Sequence, residues 1–363
     1  MTTLAPSPVP TRSARGAALP RVDPITRLPL LILFPHSRCN CRCLMCDIWR
    51  STTRDEISAD AVAKHIAEWR ELGVSRIVLS GGEALMHSHL WELCAHLKQA
   101  SIGVTLLSTG LLLRRHAQDI VSYCDDVVVS LDGAQATHDS IRNVPRAYER
   151  LAQGVSAVAA AASARAVAVS LSARCTVQKA NYRQLRATVR AAHELGLGRI
   201  SFLAADVSTE AFNRPSGWDD DQVGRVALTA QDLPLLKQEL DCLEREHADD
   251  FECGFIAESP TKLRRRLYQY FSALLGQADF HPNRCNAPWV SSVIEADGTV
   301  RPCFFQPPLG NLHQSASLLS ILNSPQSVKW RAGLEPERDA ICRRCVCTLS
   351  LHDDGQGEPG DSE

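Results

Sequence analysis

Cysteine is the residue whose spacing says most in this chain of 363 amino acids. Cys39, Cys43 and Cys46 stand in a C-x3-C-x2-C run, Cys39-Asn-Cys-Arg-Cys43-Leu-Met-Cys46. Three thiolates on one tight loop can ligate three irons of a [4Fe–4S] cube, which four cysteines usually hold, and leave the fourth iron open. An open coordination position is where a metal site does chemistry rather than only hold structure. The plainer alternative is a zinc knuckle with Cys41 as the fourth tetrahedral ligand. Cys285, Cys303, Cys342 and Cys345 form a second constellation, a cysteine pair around a hairpin followed by C-x2-C. Taken alone, that second pattern favours zinc over iron and sulfide.

The elements that must position these residues alternate regularly from residue 30 onward. Apolar runs at 30–34, 76–79, 104–107, 126–131, 169–177 and 199–203 read as strands, and 58–72, 87–99, 111–122, 147–162 and 182–195 read as helices. Ser58 is a natural N-cap and Gly73 a natural stop for the first helix. Six β/α units in series predict a parallel sheet with helices outside, and nearly continuous apolar strands fit burial on both faces. The polar candidates all fall just after strand C-termini: the cysteine run, Ser80-Gly81-Gly82-Glu83, and Ser130-Leu131-Asp132-Gly133. Barrel active sites are built there, so the expected fold is α/β, a partial (β/α)6 TIM-like barrel. A doubly wound sheet would put its site at the same strand ends.

After residue 205 the alternation breaks into a loop at 206–222 and helices at 232–247 and 260–276. A hairpin follows, with 290–296 as its first strand, Asp297-Gly298 as its turn and Cys303 at the end of its second strand; a helix near 318–324 leads to Cys342. The expected division is a disordered leader over 1–28, the barrel over 29–210, a connection over 211–281, a small cysteine domain over 282–350 and a disordered tail over 351–363. The formal net charge is −2, which gives no global basic field for nucleic acid or anionic lipid. No apolar run is long enough to span a bilayer and no secretory signal is visible. Fourteen cysteines in a chain of this size then point to a reducing, cytoplasmic setting with metal-bound thiols.

With its position after a first strand, the C-x3-C-x2-C run resembles the signature of the radical S-adenosylmethionine (SAM) superfamily. The resemblance implies that SAM chelates the open iron through its amino and carboxylate groups. An electron from an external donor such as flavodoxin or ferredoxin then cleaves it, and the 5′-deoxyadenosyl radical abstracts a substrate hydrogen. Cys41 becomes a bystander, and Met45 replaces the family's usual aromatic residue near the adenine. Gly81-Gly82-Glu83 looks like the family's GGE motif, with glycines that admit a ligand and a carboxylate for the SAM ammonium. Ser130-Leu131-Asp132-Gly133, extended by His138-Asp139-Ser140-Ile141-Arg142, resembles the segment near the SAM ribose and carboxylate, which assigns Ser130 and Asp132 to SAM. Ser108-Thr109-Gly110 sits where relatives often carry Thr-Asn-Gly. Arg174 is a candidate partner for the SAM carboxylate; the alternative is a surface arginine. The C-terminal region resembles a Twitch domain, the shortened relative of SPASM, implying one auxiliary [4Fe–4S] cluster on Cys285, Cys303, Cys342 and Cys345. Cys347 remains an alternative to Cys345.

The first expectation for the reaction is oxidation (dehydrogenation) of a small molecule such as a sugar or aminocyclitol in natural-product biosynthesis, with the auxiliary cluster taking the second electron. A redox-neutral epimerisation is the second, with Cys41, Cys253 or Cys347 returning a hydrogen atom. Modification of a ribosomal peptide is the third, disfavoured because the 38 residues ahead of Cys39 are Pro-rich and leave no room for a fused peptide-recognition domain. The non-enzyme alternatives are an iron–sulfur electron carrier and a zinc-binding module, neither of which needs an open iron beside a GGE turn. In the 206–222 loop, Asp206, Glu210 and Asn213 are candidate substrate contacts, or simply solvated.

Overall fold

The computed structural model describes residues 21, 23–315 and 317–351. Six parallel strands form as expected: β1 (Leu30–Leu33), β2 (Arg76–Leu79), β3 (Gly103–Ser108), β4 (Asp126–Ser130), β5 (Ser170–Val177) and β6 (Arg199–Ala204). Between them run α1 (Ala59–Glu71), α2 (Leu90–Gln99), α3 (Leu113–Tyr123), α4 (Gln135–Arg142), α5 (Ala147–Ala164) and α6 (Leu185–Glu194). The strands alternate strictly. Leu31, Leu33, Ile77, Leu79, Val104, Leu106, Val127 and Val129 are buried against the helices. Their neighbours Ile32, Val78, Leu107, Ser130, Arg174 and Ser201 line a cavity on the concave side. Period-two alternation thus separates a packed layer from a lining layer. Ser58 does cap α1, accepting the Ala61 N–H at 3.1 Å.

The C-terminal hairpin joins the barrel sheet instead of standing apart from it. β7 (Ser291–Ile294) pairs parallel with β1, and β8 (Thr299–Arg301) and β9 (Gly310–Asn311) follow antiparallel, giving the order β6-β5-β4-β3-β2-β1-β7-β8-β9. At the opposite edge, β6 is flanked by residues 255–257: Ile200 N donates to Phe255 O at 2.7 Å and Ala257 N to Ile200 O at 2.8 Å. The β1 and β6 edges of the six-stranded barrel sheet are therefore both paired, which leaves neither open for pairing with another chain.

The departures from expectation have local causes. Asp219 caps α7 (Asp220–Val226), so the 206–222 loop is shorter than its Pro, Gly and Asp content suggests; α8 (Leu233–Glu246) follows. The last long helix contains a π stretch, Arg264–Gln269, between Pro260–Leu263 and Tyr270–Leu274. Residues 23–28 of the expected leader are packed. Ile25 and Leu28 are buried, Asn323 brackets Ile25 through two hydrogen bonds of 2.8 Å, and Asp23 pairs with Arg331 at 2.6 Å. Apart from Arg21, the remainder of the leader, and the tail beyond 351, lie outside the described residues. Among the described residues no helix is long and apolar enough to cross a membrane.

Leu28→Ala should cost about 2–5 kcal/mol in urea unfolding, as for a fully buried leucine. A loss below about 0.5 kcal/mol, the range of surface substitutions, would mean that this segment does not belong to the core.

Candidate functional site

The cysteine loop leaves β1 and is pinned on three sides. Arg42 N donates to Arg142 O and Leu44 N to Ile141 O, both at 3.0 Å; Glu83 N donates to Arg38 O at 2.9 Å; Asp47 N donates to Phe212 O at 3.1 Å. Cys39, Cys43, Met45 and Cys46 line the cavity, whose volume is 1460 Å³. Cys41 does not. It is buried in an apolar cluster with Leu111, Ile141 and Ala147. The Cys41 thiol's hydrogen bond to Cys43, helped by the Arg142 guanidinium 3.4 Å from the sulfur, brings the Cys43 thiol down to about 7 against its burial. Burial pushes the Cys39 thiol up and the Cys46 thiol up to about 12.

The turn after β2 backs directly onto this loop. A Cβ on Gly82 would lie 1.9 Å from the Arg38 carbonyl oxygen, and one on Gly81, whose φ is +94°, would lie 2.7 Å from Phe34. Only glycine permits that approach. Gly81, Gly82, Ser108 and Thr109 line the cavity. Glu83 differs from expectation: its carboxylate is fully buried, accepting from Thr109 N at 2.7 Å, Thr109 Oγ1 at 2.6 Å, Ser108 Oγ at 3.0 Å and Leu85 N at 3.2 Å. Burial raises its pKa and these donors, Thr109 first, oppose the rise. Glu83 therefore holds the 108–109 turn in place, and the Thr109 hydroxyl also lies 2.9 Å from the Asn40 side-chain amide within the cysteine loop.

Ser130 and Asp132 also separate. Ser130 lines the cavity, but β4 ends there and Asp132 turns inward, fully buried and 2.5 Å from Arg142 Nη2. His138 accepts the Asp132 N–H at 3.3 Å, and burial, then Arg142, lowers its pKa to about 3, so it sits neutral. The chain Asp132–Arg142–Cys43 thus supports the cysteine loop from beneath. Arg174 lines the cavity on β5 and donates to Ser201 at 3.3 Å.

Sequence reasoning missed the strap at 206–218. Arg214, fully buried, bonds Asp206 O at 2.9 Å, Asp206 Oδ2 at 3.1 Å and Met45 O at 2.8 Å. Its guanidinium lies 3.9 Å over the Trp218 ring, and Trp218 donates to Asp47 at 2.6 Å. Of the three loop candidates only Asp206 lines the cavity; Asn213 bonds Asp47 O at 3.1 Å, and Glu210 is exposed. Phe212 of the strap meets Phe304 at 4.7 Å between ring centroids, and Phe304 meets Phe34 at 5.6 Å. The clearest sequence signal for the strap is aromatic and arginine residues inside a loop of otherwise polar composition.

Cys285, Cys303, Cys342, Cys345 and Cys347 line the same cavity as the first three cysteines. Gln306 donates to Cys342 Sγ at 3.3 Å and to Asp339 at 3.0 Å; Asp339 caps the Ala340–Arg343 helix; Leu349 N lies 3.5 Å from Cys285 Sγ. Burial raises these thiols, Cys303 and Cys342 to about 12. Cys347 lines the cavity wall within a surrounding of protein that raises its thiol pKa, a rise that Arg174 and then Arg266 oppose. Among the described residues no three His, Cys, Asp or Glu side chains close tightly enough on one point for a single metal ion. Sets of three and four thiols around a cavity of this size suit a cluster, whose thiolates sit farther apart than those of a tetrahedral zinc. The cavity also holds Glu258, buried, with Lys262; Glu258 accepts from Phe202 N at 3.0 Å and lies 3.6 Å from Arg266.

Gly82→Ala should fold, keep the C-terminal thiol site and lose metal from the other. Iron and sulfide assays after anaerobic loading should then fall from roughly eight to roughly four irons per chain. Full loading of the variant would show that the 38–39 backbone yields.

Residues 33–170 match the radical SAM superfamily and residues 285–346 match an iron–sulfur cluster-binding domain, SPASM. Among curated proteins, an AdoMet-dependent heme synthase of Methanosarcina barkeri is 29% identical over 178 residues, 47% of this chain and 49% of that protein. A pre-heme d1 synthase of Dinoroseobacter shibae is 26% identical over 218 residues, 59% and 50% respectively. A probable GTP 3′,8-cyclase of Methanococcus maripaludis is 34% identical over 102 residues, 26% and 33%. The chain spans about half the length of the first two and a third of the last. The fold is that of solved radical SAM structures. The enzyme anSMEcpe with bound AdoMet superposes at a TM-score of 0.60 with 18% identity, covering 88% of this chain and 85% of that one. Streptococcus suis SuiB bound to SAM gives 0.59 with 14% identity, covering 89% and 73%. The cofactors are a SAM-binding [4Fe–4S] cluster and an auxiliary iron–sulfur cluster.

Proposed function

From a chain that belongs to the radical SAM superfamily and carries a C-terminal iron–sulfur cluster-binding domain, we propose an enzyme that oxidises a small molecule by removing a hydrogen atom, a proton and an electron. The observation that carries this reading is the shared cavity: both cysteine sets and the buried carboxylate of Glu258 open onto one space. When bound, SAM on the first cluster supplies the one-electron oxidant for the hydrogen atom, and the auxiliary cluster a place for the second electron.

In this reading Cys39, Cys43 and Cys46 hold the first cluster, and Cys285, Cys303, Cys342 and Cys345 the second. Gly81, Gly82, Ser108, Thr109 and Ser130 bound the space for SAM. Glu83 and Asp132 act one layer behind them, holding Thr109 and Arg142. Arg214 clamps the Met45 carbonyl and so fixes the loop between Cys43 and Cys46. Phe34, Phe212 and Phe304 keep water from the reacting carbon. Arg174, Ser201 and Lys262 face the substrate. Glu258 takes the proton: burial raises its pKa, opposed by Arg266, the Phe202 N–H, Lys262 and Arg174, and a carboxylate shifted upward is a better base near neutrality. The curated relatives are named for making heme, pre-heme d1 and a cyclised GTP, which supports a small substrate over a peptide. A sugar or aminocyclitol alcohol is one form of the oxidisable group.

A redox-neutral outcome is the second reading, favoured by the Cys347 thiol on the cavity wall beside Arg174. Of the spare thiols, Cys41 faces an apolar cluster and Cys253 is exposed outside the cavity lining.

Anaerobically loaded enzyme, reduced with SAM present, should form 5′-deoxyadenosine. Replacing Cys39, Cys43 and Cys46 by Ala together should abolish it while leaving the C-terminal cluster; continued SAM cleavage would sink the assignment. With extracts as the substrate source, mass spectrometry should find a product short of two hydrogens. Glu258→Gln should still cleave SAM but form that product at least about 100-fold more slowly, the usual scale for losing a positioned base. A product of unchanged mass carrying solvent deuterium, lost in Cys347→Ala, would select the redox-neutral reading instead.

A further inference from the structure

On the outer side of the C-terminal cysteine site lies a cleft of 180 Å³. Its floor is Cys345, Val346 and Thr348, and these three also line the large cavity, so one stretch of chain is the wall between the two spaces. Its lining also carries Arg265, Arg266, Arg284 and Arg343 from three separate segments, together with His281. Arg284 and Arg343 are exposed. Among the described residues no Asp or Glu lines the cleft. The whole chain has a formal net charge of −2, so this concentration of cations is local. Arg265 and Arg284 lie close enough to His281 to add to the lowering of its pKa that burial begins, as they do when no acid shields them.

A positive lining around a low-dielectric floor concentrates field and steers an acidic partner. In the reading above Cys345 would be a ligand of the auxiliary cluster, so the cleft floor would be part of that cluster's ligand shell. The oxidation proposed there leaves one electron on that cluster at each turnover, and the electron must leave before the next. We propose that this cleft is the docking surface of an acidic one-electron carrier protein of the flavodoxin or ferredoxin kind, which exchanges electrons with the auxiliary cluster. One electron would pass from the reduced cluster to the oxidised carrier: a ferredoxin cluster takes it alone, and a flavodoxin flavin takes it together with one solvent proton to give the neutral semiquinone. The proposal rests on the auxiliary-cluster reading. It favours a protein over a small anion because Arg284 and Arg343 are exposed, where a partner's surface would lie, and the cations come from segments too far apart in sequence to form a single loop cradle.

The test uses the full chain with Cys39, Cys43 and Cys46 replaced by Ala, so that only the C-terminal cluster is loaded. The cluster is reduced with dithionite, freed of reductant and mixed in stopped flow with oxidised flavodoxin. The expected result is semiquinone formation at a second-order rate that falls steeply with ionic strength. Arg265→Glu with Arg284→Glu should slow it at least about tenfold at low salt and flatten the salt dependence, while oxidation by a small uncharged quinone stays unchanged. Arg343→Glu alone should give a smaller loss in the same direction. A flavodoxin rate unchanged in the double variant, with the cluster present, would overturn the docking surface alone. Inhibition by inorganic phosphate beyond that of chloride at matched ionic strength would also overturn it, marking a small-anion pocket. Absence of any iron in the starting variant would overturn both this proposal and the auxiliary-cluster reading beneath it.

Discussion

No side chain fits between the β2 turn and the cysteine loop. A Cβ on Gly82 would overlap the Arg38 carbonyl, and the N–H that follows, on Glu83, donates to that same carbonyl. This contact locks the start of the C-x3-C-x2-C run to the end of the neighbouring strand. Everything else at the site is built around a backbone that cannot retreat. Glu83, one residue on, is buried under four donors and orders the 108–109 turn on the next strand. Three consecutive strand ends are thereby fixed relative to one another by one glycine contact and one carboxylate.

Two buried ion pairs extend that frame. Asp132 holds Arg142 against Cys43, and Asp206 holds Arg214 against the Met45 carbonyl. Buried pairs contribute little net stability, and removing one partner strands the other. Their value here lies in position: each arginine reaches the cysteine loop from a different element, α4 and the strap after β6. Because the strap also packs Phe212 on Phe304, the loop is tied to the C-terminal hairpin, which itself continues the barrel sheet through β7. The two cysteine sets belong to one frame, and the cavity between them has walls from both.

The β/α order was legible because each strand is a short apolar run closed by polar turn residues, and the two cysteine sets because thiol spacing is distinctive. Three things were not. β7 pairing with β1 rests on a contact between residues about 260 apart, which periodicity cannot report. Glu83 and Asp132 were read as ligand contacts because their motifs resemble the family's SAM-binding segments, yet each turns into the core, four residues past β2 and two past β4, where alternation no longer holds. The strap looked like solvated loop because Arg214, Phe212 and Trp218 are scattered among Asp, Asn, Pro and Gly. Only the fold shows that the arginine is buried between two aromatic rings. Residues 23–28 were hidden the same way, with Ile25 and Leu28 isolated in a Pro-rich stretch.

The central claim is that the Cys39, Cys43 and Cys46 site keeps an iron open for SAM while the C-terminal site does not. Electron paramagnetic resonance of the reduced, fully loaded protein tests it most directly, with nitrogen-labelled SAM added and electron–nuclear double resonance used to find the label. The account predicts two cluster signals, of which one changes on adding SAM and shows coupling to the labelled amino nitrogen. Two signals that ignore SAM, or a coupling that persists when Cys43 is replaced by Ala, would contradict it.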